Sequence, residues 1–477
     1  MIGFIRLLFL TDTMKTQTLT RRTFLKNIGL AGAVAPFFSR HLISAPPGRI
    51  LRHASFGANG MAFADLNMLL ACDWVKLVAV AEVDLKRIDK VKEKVPDVRV
   101  YQDWRELLDK ERNNIDSVNV STPDHMHAPI AMSALQLGKH VYCQKPLTHG
   151  IYESRQLAIA ARDKGVVTQM GIQIHSNVEY RLAVQFVQEG LIGKIKEVHS
   201  WSSKKWGDAS PTPNKSDPIP DGFDWDKWLG VCASRPFIGG GYYHPGQWRK
   251  RVDFGTGTFG DMGCHIYDPV FNALALTAPL TVRSEGPPPS ASDWGTNARI
   301  EYVFPGTRFT AEDKVRVIWY DGDERPPKDI MALVADAKPA GPPPDAKAKR
   351  KKTEFPPSQG SIFVGTNGAM LLPHIGKPTL CPAAQFKDFK HPKLPAISHW
   401  EQFAQACIGE GKTTTGFDYS GPLTETVLLG SVAVRFPQTT LEWDAAKLKF
   451  KNCDDAAKYI RRTYRKGWEV PSLSALA

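Results

Sequence analysis

The stretch Ser55-Phe56-Gly57-Ala58-Asn59-Gly60 closes a short candidate strand, Ile50–Ala54, and opens a helical stretch from Met61 to about Ala71. Strand, glycine turn and helix in that order can cradle a pyrophosphate. Gly57 would let the backbone approach the phosphates, Gly60 would let helix and strand pack closely, and the helix start offers free N–H groups. Ser55 stands where a first glycine would make the tight turn. Roughly twenty residues on, the apolar run Val75–Ala81 ends in Glu82-Val83-Asp84; an acid at that place can accept hydrogen bonds from the adenosine ribose. A carboxylate there repels a 2′-phosphate, which favours NAD, whereas nearby Arg87 could accommodate one, which keeps NADP open. Glu82 and Asp84 are equally suited to cap the helix beginning near Leu85, and one can cap while its neighbour binds ribose. The expected cofactor contacts of this half are Ser55, Gly57, Ala58, Asn59, Gly60, Met61, Glu82, Asp84 and Arg87.

A second set of groups could do chemistry on a hydroxyl. Lys145 sits between Gln144 and Pro146, and Asp261 and His265 are four residues apart, on one face if that segment is helical. An ammonium supplies charge, an imidazole exchanges protons near neutral pH, and a carboxylate recognises hydroxyls. An Asp/His pair could also ligate a metal, but His199 and His244 are not at spacings that complete such a site, so no metal is expected. Cys143 and Cys264 lack a convincing adjacent base, which argues against a thiol nucleophile. Tyr242, Tyr243, Trp248 and Trp206 could wall a sugar ring or simply pack in a core.

The elements that must position these groups alternate. Strands are expected at Val98–Tyr101, Ser117–Val120, His140–Tyr142 and Val166–Met170, with helices at Trp104–Leu108, Ala128–Leu137 and Glu153–Lys164 between them. Repeated β-α units make a doubly wound parallel sheet, whose ligands bind beyond the strand C-termini. That puts Ser121–His127 and Cys143–Pro146 on one rim. After about Gly171 the pattern changes to a helix Val178–Gln188, a strand Ile195–Ser202 and longer strands at Ala298–Phe304 and Val315–Tyr320, with helices at His399–Cys407 and Leu423–Val434.

The chain has 477 residues, 42% hydrophobic and 23% charged, which is ordinary for a globular protein of two or three domains. No apolar run reaches the roughly 18 residues of a membrane span. Seven cysteines without a CxxC argue against a disulfide framework or zinc knuckle. The net charge is +12, of which residues 1–45 supply +5, and Lys347, Lys349, Arg350, Lys351 and Lys352 form a cluster. The rest is close to neutral, so no nucleic-acid partner is expected. Asp336–Pro357 reads as an exposed Pro/Lys-rich insertion.

Thr20-Arg21-Arg22-Thr23-Phe24-Leu25-Lys26, followed by the apolar stretch Ile28–Phe38, resembles a twin-arginine export signal. Residues 1–45 are therefore expected to be an address read by the twin-arginine machinery, cleaved or kept as an anchor, and the protein periplasmic. Met14 is a candidate start. That route carries folded proteins, so a cofactor would be loaded before export.

Thr122-Pro123-Asp124-His125-Met126-His127, followed by Gly138-Lys139-His140-Val141-Tyr142-Cys143-Gln144-Lys145-Pro146-Leu147, resembles the glucose–fructose oxidoreductase/inositol dehydrogenase (Gfo/Idh/MocA) family. The family usually has Glu-Lys-Pro where this chain has Gln144-Lys145-Pro146, a change that removes a negative charge beside the lysine. Asp226-Lys227-Trp228-Leu229-Gly230, Tyr243-His244-Pro245, Asp253–Gly257, Gly260–His265, Phe417-Asp418-Tyr419 and Tyr464–Trp468 are similar to an exported branch of it.

The resemblance implies a Rossmann-like NAD(P)-binding domain over residues 46–170. An α+β domain with a large open, mainly antiparallel sheet is expected over 171–477, serving substrate binding and oligomerisation. It implies proton transfer and alkoxide stabilisation shared by Lys145 and His265, and a substrate hydroxyl held by Asp261. Thr122, Pro123, His125, Gln144, Lys145 and Gln173 complete the cofactor set; Lys145, Tyr243, Trp248, Arg249, Asp261 and His265 form the substrate set. The expected activity is oxidation of a sugar, polyol or glycoside hydroxyl by a dimer or tetramer with tightly bound NAD. The alternatives are a glycoside-cleaving enzyme working by transient oxidation and elimination, and a non-catalytic carbohydrate-binding protein.

Overall fold

The computed structural model describes residues 49–337 and 355–473. The segment read as an export signal and most of the basic insertion lie outside the described residues. Among the described residues no helix is long and apolar enough to cross a membrane.

Six strands form the first sheet: β1 (Leu51–Phe56), β2 (Val75–Ala81), β3 (Arg99–Tyr101), β4 (Ser117–Val120), β5 (His140–Cys143) and β6 (Thr168–Met170). Their order is β3-β2-β1-β4-β5-β6, and every pair is parallel. Helices on both faces explain why β4 and β6 are buried along their whole length. The strand order reverses between β1 and β4, which opens a crevice at their C-terminal ends.

The second sheet has nine strands: β7 (Ile195–Ser202), β8 (Thr281–Ser284), β9 (Arg299–Pro305), β10 (Lys314–Asp321), β11 (Gln359–Gly365), β12 (Ala369–Pro373), β13 (Thr379–Cys381), β14 (Thr440–Asp444) and β15 (Lys449–Phe450). Its order is β13-β12-β11-β7-β10-β9-β8-β14-β15. Only the β7–β10 pair is parallel among these described strands; the other pairings are antiparallel.

The helix Phe417–Ala433 joins the two sheets. On one side Arg155 pairs with Glu425 at 2.7 Å and Ser154 donates to the Gly421 carbonyl. On the other, a Cβ at Gly430 would sit 2.5 Å from Phe259, so this helix lies hard against the helix Gly257–Ile266. The C-terminal segment returns to the first domain, where Tyr464 donates to Glu153 at 2.7 Å and Arg105 lies 4.0 Å over the Trp468 ring.

Candidate active site

A cleft of about 480 Å³ runs from the glycine turn after β1 to the helix Gly257–Ile266. At one end Gly57 has φ +102°, and a Cβ there would lie 2.8 Å from the Ser121 carbonyl oxygen. That conformation and that contact together require glycine. Gly60 precedes the helix Met61–Leu69, whose N-terminus faces the cleft with Asn59 and Met61. Glu82 accepts the N–H groups of Ala58 and Asp84, each at 3.0 Å, and burial pushes its carboxyl above the usual range. Arg87, Thr122, Pro123, Gln144 and Gln173 also line the cleft. These residues fit a nicotinamide dinucleotide. The glycine turn packs tightly under the start of the helix, the helix start can supply N–H groups to a pyrophosphate, and Glu82 can receive ribose hydroxyls.

Five residues of the expected set stand elsewhere. Ser55 is fully buried and donates to the Gly57 carbonyl at 2.7 Å, bracing the turn from beneath. Ala58 buries its side chain and reaches Glu82 only through its N–H. Asp84 turns away, accepting the Lys86 N–H at the start of Leu85–Arg87 and meeting His244 Nε2 at 3.1 Å. His125 donates to the Trp228 carbonyl at 2.9 Å and packs on Trp228 and Phe254; burial pushes it down to about 3, so it is a neutral brace between the domains. Tyr243 is core, wedged among Trp225, Trp228 and Phe254. His127, two residues after His125, ties the two rim segments together, its ring nitrogens meeting the Pro146 and Thr122 carbonyls at 2.7 and 2.8 Å.

At the other end the helix Gly257–Ile266 presents Asp261 and His265 to Lys145. Lys145 Nζ donates to the Asp261 carbonyl at 2.6 Å and to its carboxylate at 2.7 Å. The other carboxylate oxygen accepts from Trp206 Nε1 at 2.8 Å and Lys204 Nζ at 3.1 Å, and Arg249 Nε lies 3.5 Å from the first. Burial opposes the charge, but Lys145, Arg249 and Lys204 hold this carboxyl far below the usual range. Three protein donors bond this carboxylate, so Asp261 anchors cations here, and the hydroxyl-holding role expected of it would share an oxygen with one of them.

His265 is pushed well below its ordinary value, first by burial and then by the Lys145 charge. The sequence reading asked for a base near neutrality; this imidazole is held neutral, free to accept a proton but a weak base until positive charge nearby is offset. Its Nδ1 is buried without a partner, as is that of His374, whose ring lies 5.4 Å away. Burial pushes Cys264 up to about 12 and Cys143 well above its usual range, so neither is a usable nucleophile. Among the described residues no group of three or more His, Cys, Asp or Glu is arranged to hold a metal ion.

Behind the rim lies a buried carboxylate that the sequence did not flag. Asp65 accepts from Gln144 Nε2 at 2.9 Å, Ser121 Oγ at 2.8 Å and Trp400 Nε1 at 2.9 Å. Burial raises it to about 6. Gln144 thus stands where it can donate; a glutamate there would face a second carboxylate at hydrogen-bond distance. The negative charge absent at 144 is present one layer behind, at Asp65. The sequence reading left out Lys204 and His374 and named Trp206 only as a possible aromatic wall. All three follow the ends of strands, β7 and β12, and that placement was the available signal.

A family model described as an oxidoreductase family with an NAD-binding Rossmann fold matches residues 51–172. A second, for that family's C-terminal alpha/beta domain, matches residues 183–330, and together they span more than half the chain. The chain belongs to the Gfo/Idh/MocA oxidoreductase family. Levoglucosan dehydrogenase of Pseudarthrobacter phenanthrenivorans is 28% identical over 167 residues, 35% of this chain and 34% of that protein. An alpha-N-acetylgalactosaminidase of Shewanella oneidensis is 29% identical over 164 residues, 32% of this chain and 34% of that protein. The matched stretch thus spans about a third of the length of these relatives. Among solved structures, the WlbA dehydrogenase from Bordetella pertussis, in complex with NADH and UDP-GlcNAcA, has a TM-score of 0.56 at 12% identity. The alignment covers 83% of this chain and 99% of that one. This family member therefore shares a common two-domain frame with solved Gfo/Idh/MocA folds.

Proposed function

We propose that this protein is an NAD-dependent oxidoreductase that oxidises a hydroxyl of a sugar, polyol or glycoside. One observation carries the reading: a dinucleotide cradle and the Lys145–Asp261–His265 cluster open into the same cleft. When bound, the nicotinamide supplies the hydride acceptor. Lys145 places an ammonium where an alkoxide would develop, and Asp261 fixes that ammonium by two contacts. His265, held neutral, is in the form that accepts the hydroxyl proton. The rim segments clipped by His127 keep Lys145 in register with the cofactor half.

The Arg21-Arg22 segment supports export by the twin-arginine route to the periplasm, where free nicotinamide is scarce. A cofactor loaded before export and recycled in the site is the reading consistent with that address. Purification without added cofactor, followed by mass spectrometry of the released ligand and of a carbohydrate panel, tests both points. Bound nicotinamide and a sugar lighter by two hydrogens are expected. An empty site with ordinary consumption of added NAD overturns tight binding, and no turnover of any carbohydrate overturns the oxidoreductase reading in favour of a binding protein.

The resemblance to the Shewanella oneidensis galactosaminidase favours one second reading, cleavage of a glycosidic bond with no net redox change. The same Lys145 and His265 would serve it. Free aglycone with no keto-sugar would select this reading over the first.

A further inference from the structure

Three cations, Lys145, Lys204 and Arg249, meet at the reacting end of the cleft around one ionised carboxylate, Asp261. The other acid close by, Asp124, is fully buried, hydrogen-bonded by Thr256 Oγ1 at 2.7 Å, and pushed upward by burial, which disfavours its charge. Positive charge is therefore in surplus. Burial, and after it Lys145, depresses His265; burial, and after it Lys204 and Lys145, depresses His374.

Arg249 is arranged unlike an ordinary surface arginine. Its guanidinium lies 4.2 Å from the Trp248 ring and 5.6 Å from the Trp206 ring, and only Nε approaches Asp261. Among the described residues its two terminal amino groups have no hydrogen-bond partner. A guanidinium held by aromatic rings with its fork unfilled is preorganised for a planar two-oxygen anion. Lys204, with two-fifths of its side chain exposed, stands across the same carboxylate at 3.1 Å. The dinucleotide pyrophosphate has its own cradle at Gly57 and Gly60, on the first domain, and does not account for these second-domain cations.

We propose that the substrate is an acidic sugar, a uronic acid or its glycoside, whose carboxylate is received by Arg249 and Lys204. This rests on the oxidoreductase reading for the reaction but not for the recognition. A neutral sugar would leave the surplus charge uncompensated in a half-enclosed cleft. A carboxylate would neutralise it and, by the same Coulomb effect, restore proton affinity to His265 at the moment it must act as base.

The test is equilibrium binding of matched pairs to the full chain with cofactor present, read by calorimetry and by tryptophan fluorescence. The pairs are glucuronate and glucose, galacturonate and galactose, and mannuronate and mannose. In at least one pair the acid should bind about 10- to 100-fold more tightly than its neutral twin. Arg249→Gln should collapse that ratio to within about threefold, Arg249→Lys should restore part of it because charge returns without the fork, and Lys204→Gln should lower it independently. Neutral sugars bound as well as acids in every pair, or a ratio that both variants leave unmoved, would overturn the proposal. Turnover separates the two readings. Oxidation of a neutral sugar without acid preference removes the carboxylate receptor and keeps the oxidoreductase; acid preference without loss of hydrogen from any sugar does the reverse.

Discussion

At the dinucleotide end, the glycine turn, the helix start and the acidic strand end come from one continuous stretch, Gly57 to Arg87, to which Thr122, Pro123, Gln144 and Gln173 are added from later in the chain. At the reacting end the residues facing the cleft are Lys145, Lys204, Trp206, Arg249, Asp261 and His265, contributed by both domains and brought together only by packing. The first end works through backbone shape: a left-handed glycine and a helix start. The second works through opposed charges, where each group's behaviour is set by its neighbours. Local shape can be read from short sequence, whereas electrostatics depends on which distant residues arrive. The two ends should also fail differently.

The largest separation is expected from the reacting end. His265→Ala should lower turnover by about 10² to 10⁴, the usual worth of a general base, with cofactor still bound. Lys145→Ala should lower it by a similar factor and loosen the nicotinamide as well, since Lys145 sits on the cofactor domain's rim. The double variant should be little worse than the worse single one, because groups acting on one proton are not additive. Single-turnover kinetics beside a count of bound nicotinamide checks this. Near-normal turnover of His265→Ala with a dead Lys145→Ala would assign the proton to the lysine alone.

The network behind the rim tests whether the two ends are joined. Gln144→Glu replaces two donor contacts to Asp65, at 3.1 and 2.9 Å, by a second carboxylate. A loss of about 3 kcal/mol in denaturant unfolding is expected, with most of it recovered in the double variant carrying Asp65→Asn. Equal losses in the single and double variants would mean that the charge conflict is not the cause.

Gly57→Ala probes the dinucleotide end by itself. The methyl would enter a φ of +102° and stand 2.8 Å from the Ser121 carbonyl, so about 10- to 30-fold weaker NAD binding is expected. Turnover should recover as cofactor is raised, unlike that of His265→Ala. Titration of tryptophan fluorescence with NAD measures it, and unchanged affinity would show that the pyrophosphate lies elsewhere.

The same contrast explains what the sequence disclosed. The parallel sheet followed from alternating apolar runs such as Val75–Ala81, and the mixed sheet from the change of pattern after Gly171. Asp84 caps Leu85–Arg87 while Glu82 faces the cleft, a division legible in sequence because both placements are set within a few residues. Asp261 and His265 were placed on one helix by their spacing, but their states were not legible. Nothing near residue 261 in sequence announces that Lys204 and Trp206 will bond its carboxylate with Arg249 close by. Tyr243 and His125 look like site residues because aromatic and imidazole side chains suit both a wall and a core. Only packing decides between them, and it buries both. Ser55 lost its apparent defect once its hydroxyl was seen bracing the Gly57 carbonyl.

The narrowest effect, confined to one pH window, concerns Asp65 alone. Burial raises its carboxyl to about 6, above the value near 4 of an unfolded chain. Between those two values the folded protein binds more protons than the unfolded one. Stability contributed by this group must therefore fall as pH rises from about 4 to about 6 and stay level above that. The value of about 6 already includes the offset by the donors from Gln144, Ser121 and Trp400, so the expected change is about 2 to 3 kcal/mol. Asp321, also raised to about 6 by burial, titrates in the same window, so the informative quantity is the difference between the wild type and Asp65→Asn across that window. Asparagine can still accept the Trp400 N–H, and Gln144 can rotate its amide to receive the new donor, so the fold should survive the change. Urea unfolding at half-unit pH steps should give a difference curve that slopes between pH 4 and 6 and is flat above. A flat difference throughout would mean that Asp65 titrates near 4 in the folded protein, and that the layer behind the rim is better solvated than its packing indicates.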